Sequence, residues 1–264
     1  MRAVLSLFLP VVLVFSGIPI QAQSAPEAPQ RDAQALTVLT QALAAAGENF
    51  SVGSVADFTA TGSITYYWAG QPVSGPVTVR GMRLNDIRVD ATLPDGIRSW
   101  GVLHGKGSVK DAAGNLSTIP PHNTLNLGAF SFPLLKIAAA LSNSALSVQY
   151  LGTTDFNGIQ ANVIHVAKNQ STDPGGLIAH LTAVDFLIDP TSYQILAVRD
   201  VIHPEDRATQ DIAREIAFSD YRLANGILLP FSVTEQVNGQ RTWTMQLDQI
   251  QVNSGLSDSD LTIL

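Results

Sequence analysis

Leu229 to Leu247 reads LPFSVTEQVNGQRTWTMQL, and the pairing of its two halves decides the fold class. Asn238-Gly239 is a strong hairpin-turn signal between two alternating runs. A two-residue loop would set Val233 opposite Thr244 and Phe231 opposite Gln246, sending the two apolar stripes to opposite faces. A three-residue loop, Val237-Asn238-Gly239, with Gly239 as a left-handed bulge, instead opposes Glu235 to Arg241, Val233 to Trp243, Phe231 to Met245 and Leu229 to Leu247. The predicted hairpin then carries one ion pair at its tip and a continuous apolar stripe below it. Side chains alternate with a period of two, so a slip of one residue would expose the whole stripe; it must face a core or a cavity.

The same alternation extends through the rest of the chain. Asn157-Gly158 joins the strand Leu146 to Phe156 to the strand Ile159 to Ala167, and a two-residue loop there predicts Leu151 opposite Ile164 and Tyr150 opposite His165. Asp189-Pro190-Thr191-Ser192 turns the chain between Val184–Ile188 and Gln194–Ile202. From Phe58 to Val109, Ile64, Tyr66 and Trp68 point one way and Ser63, Thr65 and Tyr67 the other, while Ile87, Val89 and Ala91 alternate with Arg88 and Asp90. Gly70, Gly75-Pro76, Gly81, Pro94-Asp95-Gly96 and Ala113-Gly114-Asn115 read as turns between these runs. The spacing leaves no room for the crossover helices of a parallel sheet. The fold class is α+β, mainly antiparallel β.

Two helices are predicted. One runs from about Arg31 to Ala46, with Ala33, Leu36, Leu39, Leu43 and Ala46 at helical spacing and Gly47 as its stop. The other runs from about Leu134 to Leu141 (LLKIAAAL), apolar on every side except at Lys136. It follows an irregular stretch from Ser117 to Pro133 and is a buried helix or a lid over an apolar pocket. Gly255 to Leu264 reads as a short tail.

The N-terminus has the anatomy of a secretory leader: Arg2, then the apolar stretch Val4 to Ile20, then small residues at Ala22, Ser24 and Ala25. Cleavage is expected after Ala22, or else at Ala25; an uncleaved anchor is the alternative, although the apolar run is at the short limit for a bilayer span. Residues 23–30 form a Pro/Ala/Gln linker, and 31–264 form one domain. The chain has no cysteine, which excludes a lipid-bearing cysteine, disulfides and thiolate metal sites. Its stability has to come from a core, which about 240 mature residues can supply.

With 15 basic and 22 acidic residues the net charge is −7, one unit more negative without Arg2. An acidic chain with no basic run excludes nucleic acid as a partner. Charged residues make up 14% and hydrophobic ones 45%, against about 25% charged in an average soluble domain. The surplus apolar surface belongs to a large core or to a ligand site.

No catalytic group is assigned. The five histidines His104, His122, His165, His180 and His203 are dispersed, with no metal-pair spacing, and no metal or cofactor is expected. Gly101 to Ser108 (GVLHGKGS) has broken phosphate-loop spacing and reads as a strand end and turn. Glu205, Asp206 and Asp211, interleaved with Arg207 and Arg214, read as a solvated face.

Three stretches resemble the LolA-like superfamily of exported proteins, which includes periplasmic lipoprotein carriers and sigma-factor regulatory proteins of the RseB type. They are Val148 to Val166 (VQYLGTTDFNGIQANVIHV), Phe186 to Arg199 (FLIDPTSYQILAVR) and Ser219 to Gly239 (SDYRLANGILLPFSVTEQVNG). The resemblance implies a curved, half-open, barrel-like antiparallel sheet whose concave apolar face is covered by helices, with residues 134–141 as lid. It also implies a periplasmic carrier that holds an acyl chain, a lipoprotein or another apolar ligand between sheet and lid. An envelope sensor or scaffold that binds a protein partner is the alternative, and an enzyme a third reading. The residues expected to line the ligand site are Tyr66, Trp68, Leu134, Leu135, Ile137, Phe231, Val233, Trp243 and Met245.

Overall fold

The computed structural model describes residues 29–47, 54–68, 71–127, 132–169, 173 and 175–264; the leader segment and most of the linker lie outside the described residues. Thirteen strands form one antiparallel, curved, open sheet. Its first half is a meander: β1 (Asp57–Trp68), β2 (Gln71–Met82), β3 (Asp86–Leu93), β4 (Gly96–Leu103), β5 (Lys106–Lys110) and β6 (Leu116–Ile119). Its second half is another: β7 (Leu146–Phe156), β8 (Ile159–Lys168), β9 (Val184–Ile188), β10 (Ile195–Ile202), β11 (Ile212–Ala224), β12 (Ile227–Val237) and β13 (Gln240–Val252). The spatial order runs from β6 to β1, then from β13 to β7, so the two meanders meet where β1 pairs β13.

That topology explains where the helices lie. The connection from β6 to β7 must pass from one edge of the sheet to the other, a distance of roughly 58 Å if thirteen strands lay flat. Curvature shortens the path, and the connection crosses the concave side. It carries a 3₁₀ turn at Pro121–Asn123 and the helix α2 (Pro133–Ser142), entered through Pro133 at its first position. The N-terminal helix α1 (Ala33–Ala46) packs against α2 and against β7 and β12. Asp32 caps α1, its side chain accepting hydrogen bonds from the amides of Gln34 and Ala35 at 2.7 and 3.3 Å. The buried face of α1 is Ala35, Val38, Leu39, Ala42 and Ala46, rotated from the predicted stripe, with Leu36 and Leu43 only partly buried. Gly47 ends the helix where a Cβ would stand 2.7 Å from the Gly226 carbonyl oxygen.

Arg31 ties the pieces together. Its backbone neighbours bond Val148 of β7 on both sides, Val148 N to Gln30 O at 2.7 Å and Asp32 N to Val148 O at 2.8 Å. Its guanidinium donates to the carbonyls of Ala140, Leu141, Asn143 and Leu146 at 2.9–3.1 Å, satisfying the C-terminal end of α2.

Both Asn-Gly hairpins form with two-residue turns, and a bulge then corrects each register. Val237 pairs Gln240 and Gln236 pairs Arg241, but Glu235 pairs Trp243 and Val233 pairs Met245, because Thr242 is the extra residue. The apolar stripe is thus made continuous by a bulge at Thr242, not by the three-residue loop predicted. In the other hairpin, Phe156 pairs Ile159 and Thr153 pairs Asn162, after which the register shifts around Leu151 and Gly152. Tyr150 therefore faces Ile164 and Gln149 faces His165, one residue off the predicted pairing; Gly152 has φ 98° and Leu151 is exposed.

Other departures are local. Gly75-Pro76 and Gly81 lie inside β2, not at turns: Gly81 is where the Phe58 ring passes, 2.2 Å from a would-be Cβ. The stretch read as irregular opens with β6. The tail forms a short helix, α4 (Asp258–Leu261), with a capping box between Ser257 and Asp260 and Leu261 buried beneath it. The buried Asp57 carboxylate at the start of β1 accepts from the Ser254 amide at 2.6 Å and the Ser254 hydroxyl at 2.7 Å, holding that tail to the seam.

Candidate functional site: an apolar cavity between sheet and helices

The concave face and the two helices border an apolar cavity of about 80 Å³ that is partly open to solvent. Its walls come from both meanders: Phe58 and Ala60 of β1 and Val89 of β3 on one side, Leu229 and Val233 of β12 and Met245 of β13 on the other. Ala42, Ala45 and Ala46 of α1 and Leu134 of α2 close it, the alanines presenting backbone-close, small surface at i, i+3 and i+4. The Phe58 and Phe132 rings meet at 5.3 Å between centroids, joining β1 to the segment that leads into α2.

Of the nine residues expected to line a ligand site, Leu134, Val233, Trp243 and Met245 border this cavity. Tyr66 lies beside it, paired across the seam with Trp243. Burial pushes the Tyr66 phenol up, against a hydrogen bond with Trp100. Trp68 stacks on Tyr66 at 4.7 Å but lies at the rim, 40% exposed, with the Arg98 guanidinium 4.6 Å from its ring centroid. Leu135 and Ile137 are buried in the core around α2. Phe231 is buried next to the wall, with the Arg222 guanidinium 4.9 Å from its ring centroid.

Arg214 and Glu235 also reach the cavity wall. The Thr242 hydroxyl, on the bulge, donates to Glu235 Oε1 at 2.5 Å. Arg214 is not on a solvated face as its charged neighbours in sequence imply: it is buried and grips the buried Asp200 carboxylate with two hydrogen bonds of 2.9 and 2.7 Å. Burial raises the Asp200 pKa, opposed by Arg214, and Asn126 and Lys136 also favour its charge. Lys136 Nζ donates to Asn126 Oδ1 at 3.3 Å, and the Asn126 amide donates to the Leu181 and Ala183 carbonyls. The polar residue of α2 is thus absorbed by a buried network beneath the apolar site. Arg214, Tyr193 and Tyr221, which the sequence reading left out, also border the cavity. Tyr221 is held there by its hydroxyl, which donates to Ile195 O at 2.5 Å. No sequence signal marks both: Arg214 and Tyr221 are seven residues apart, so simple alternation sends them to opposite faces, and their strand also carries Glu215, Ser219, Asp220 and Arg222.

No family model and no curated protein matches the chain. Solved structures do. An outer membrane lipoprotein-sorting protein domain from Vibrio parahaemolyticus aligns over 86% of this chain and 95% of its own, with TM-score 0.52 and 13% identity. A LolA superfamily protein from Nitrosomonas europaea aligns over 85% and 97%, with TM-score 0.52 and 10% identity. The fold is LolA-like. A DUF1329 family protein from Desulfovibrio piger shares it, over 88% of this chain and all of its own, with TM-score 0.54 and 10% identity. In this LolA-like domain no described helix is long and apolar enough to cross a membrane.

Proposed function

We propose that this chain is an exported, periplasmic carrier or binding protein that holds one acyl chain, free or attached to a lipoprotein, in the space between sheet and helices. The observation that carries this reading is the apolar cavity walled by both meanders and bordered by α1 and α2. Its lining is apolar with a few placed polar groups, as in small-molecule sites. Each methylene buried is worth about 0.8 kcal/mol, so a chain of about a dozen carbons gains several kcal/mol after the costs of association. Arg214 and Glu235 are the charged groups at the wall, each already hydrogen-bonded within the fold. That arrangement suits holding a ligand better than transforming one. Periplasmic localisation follows from reading the N-terminal leader as cleaved.

The test is lipid extraction of the purified protein followed by mass spectrometry, with titration of a fluorescent fatty acid. A co-purified lipid, or saturable binding at one equivalent, is expected. Ala45→Trp, a half-buried position on α1 that borders the cavity, should weaken probe binding at least tenfold with little change in melting temperature. Absence of both lipid and probe binding sinks the reading, and co-purification of a protein with a dry interior would favour a scaffold instead.

A further inference from the structure

The loop between β10 and β11 returns to the end of a short helix, α3 (Leu177–Thr182), and brings together three residues that are dispersed in sequence. One ring nitrogen each of His180 and His203 and a carboxylate oxygen of Asp211 lie within 4.8 Å of one another. His180 Nε2 is 2.9 Å from Asp211 Oδ1, and His203 Nδ1 is 3.5 Å from the same oxygen. Donors bonded to zinc at about 2.0–2.1 Å in a tetrahedron stand roughly 3.3–3.4 Å apart. The two histidine–Asp211 spacings lie within about half an ångström of that.

His203 is built into the fold. Its side chain is 1% exposed, and its backbone is held from both sides by Asn123, which accepts from the His203 amide at 2.9 Å and donates to its carbonyl at 2.7 Å. Its Nδ1 is 3.2 Å from the Gln210 carbonyl oxygen, while Nε2 has no hydrogen-bond partner among the described residues. The nitrogen that faces Asp211 is Nδ1, so an ion bound there would take the place of its contact with the Gln210 carbonyl. The His122 ring stands edge-on to His203 at 5.7 Å, with its Nε2 3.2 Å from the Pro204 carbonyl oxygen.

We propose that His180, His203 and Asp211 form a binding site for one zinc ion. Two imidazoles and a carboxylate are borderline donors that favour zinc over magnesium or calcium. Three protein ligands leave the fourth position to water. None of the three residues lines the cavity, but the site shares its scaffold. His203 follows β10, which carries Asp200, and His180 sits in α3, whose last carbonyls hold Asn126. The ion would therefore clamp the 203–211 loop to α3.

The experiment uses the full mature chain without a histidine tag, freed of metal by chelator and titrated with zinc by calorimetry and by melting. One equivalent should bind with a micromolar or tighter dissociation constant, and zinc should raise the melting temperature. His180→Ala and Asp211→Asn, at half-exposed positions that the apo fold tolerates, should each weaken binding at least tenfold and abolish the thermal shift. His165→Ala, in the separate His165 and Asp185 pair, should change neither. Fewer than half an equivalent bound by the wild-type chain overturns the proposal, as does undiminished binding by the His180→Ala, Asp211→Asn double variant or loss of binding in His165→Ala.

Discussion

Burial holds the Lys136 ammonium at a pKa of about 8, with Asp200 opposing the shift. The folded chain therefore releases that proton between about pH 8 and 10.5 while the unfolded chain still holds it, so stability rises with pH across that window and the penalty is complete below pH 8. Its size is on the order of 3 kcal/mol. Lys136→Met should raise stability at pH 7 by about 1–3 kcal/mol, or about 2–4 °C per kcal/mol, and flatten the rise above pH 8; thermal melts at pH 7 and 9.5 measure both. Arg214 has the opposite standing. Arg214→Met leaves the Asp200 carboxylate buried without its bidentate partner and should cost about 3–5 kcal/mol in urea unfolding, partly recovered in an Arg214→Met, Asp200→Asn double variant. Lys136 stood out in the sequence as the lone charge in an apolar helix. Its network did not, because Asn126, Asp200 and Arg214 sit on different elements, and Arg214 lies among exposed acids that disguise it as surface.

Arg31 shows how one side chain decides whether an element ends well. Four carbonyls at and just beyond the end of α2 depend on its guanidinium, whose planar fork of donors an ammonium cannot reproduce. Arg31→Ala should lower stability by about 1–2 kcal/mol, and Arg31→Lys should regain little of it; melting curves compared with wild type decide. The elements themselves were largely legible. Periodicity located α1, α2 and most strands, and the Asn-Gly pairs located two turns. Register was less legible, since a bulge at Thr242 or at Leu151-Gly152 depends on which faces the rest of the sheet buries. Glycines that permit close packing, such as Gly81 under Phe58, also look in sequence like glycines that turn the chain. The capping box at Ser257 was written in the sequence and marks α4 where a tail was expected.

At the scale of the molecule, the sequence carried the antiparallel class and, through its turn pattern, the LolA-like fold, and it identified part of the cavity wall. Trp243, Met245, Val233 and Leu134 share an apolar stripe or helix that periodicity reveals. The wall contributed by Phe58, Val89 and the alanines of α1 appears only once the meanders are joined, and no local signal encodes that. A ligand held there binds the folded state alone, so a fatty acid at a hundred times its dissociation constant should add about 2.7 kcal/mol and raise the melting temperature by roughly 5–10 °C; no shift at saturation would contradict the proposed site. The seam between β1 and β13 has a consequence for folding order. Each meander is built of neighbouring hairpins that close quickly, whereas Phe58 must find Val252 across nearly the whole chain, a slow closure of a very long loop. Because β13 follows both the β1 side and the β12 side of the cavity wall in the chain, the cavity has no closed form until β13 has paired with both.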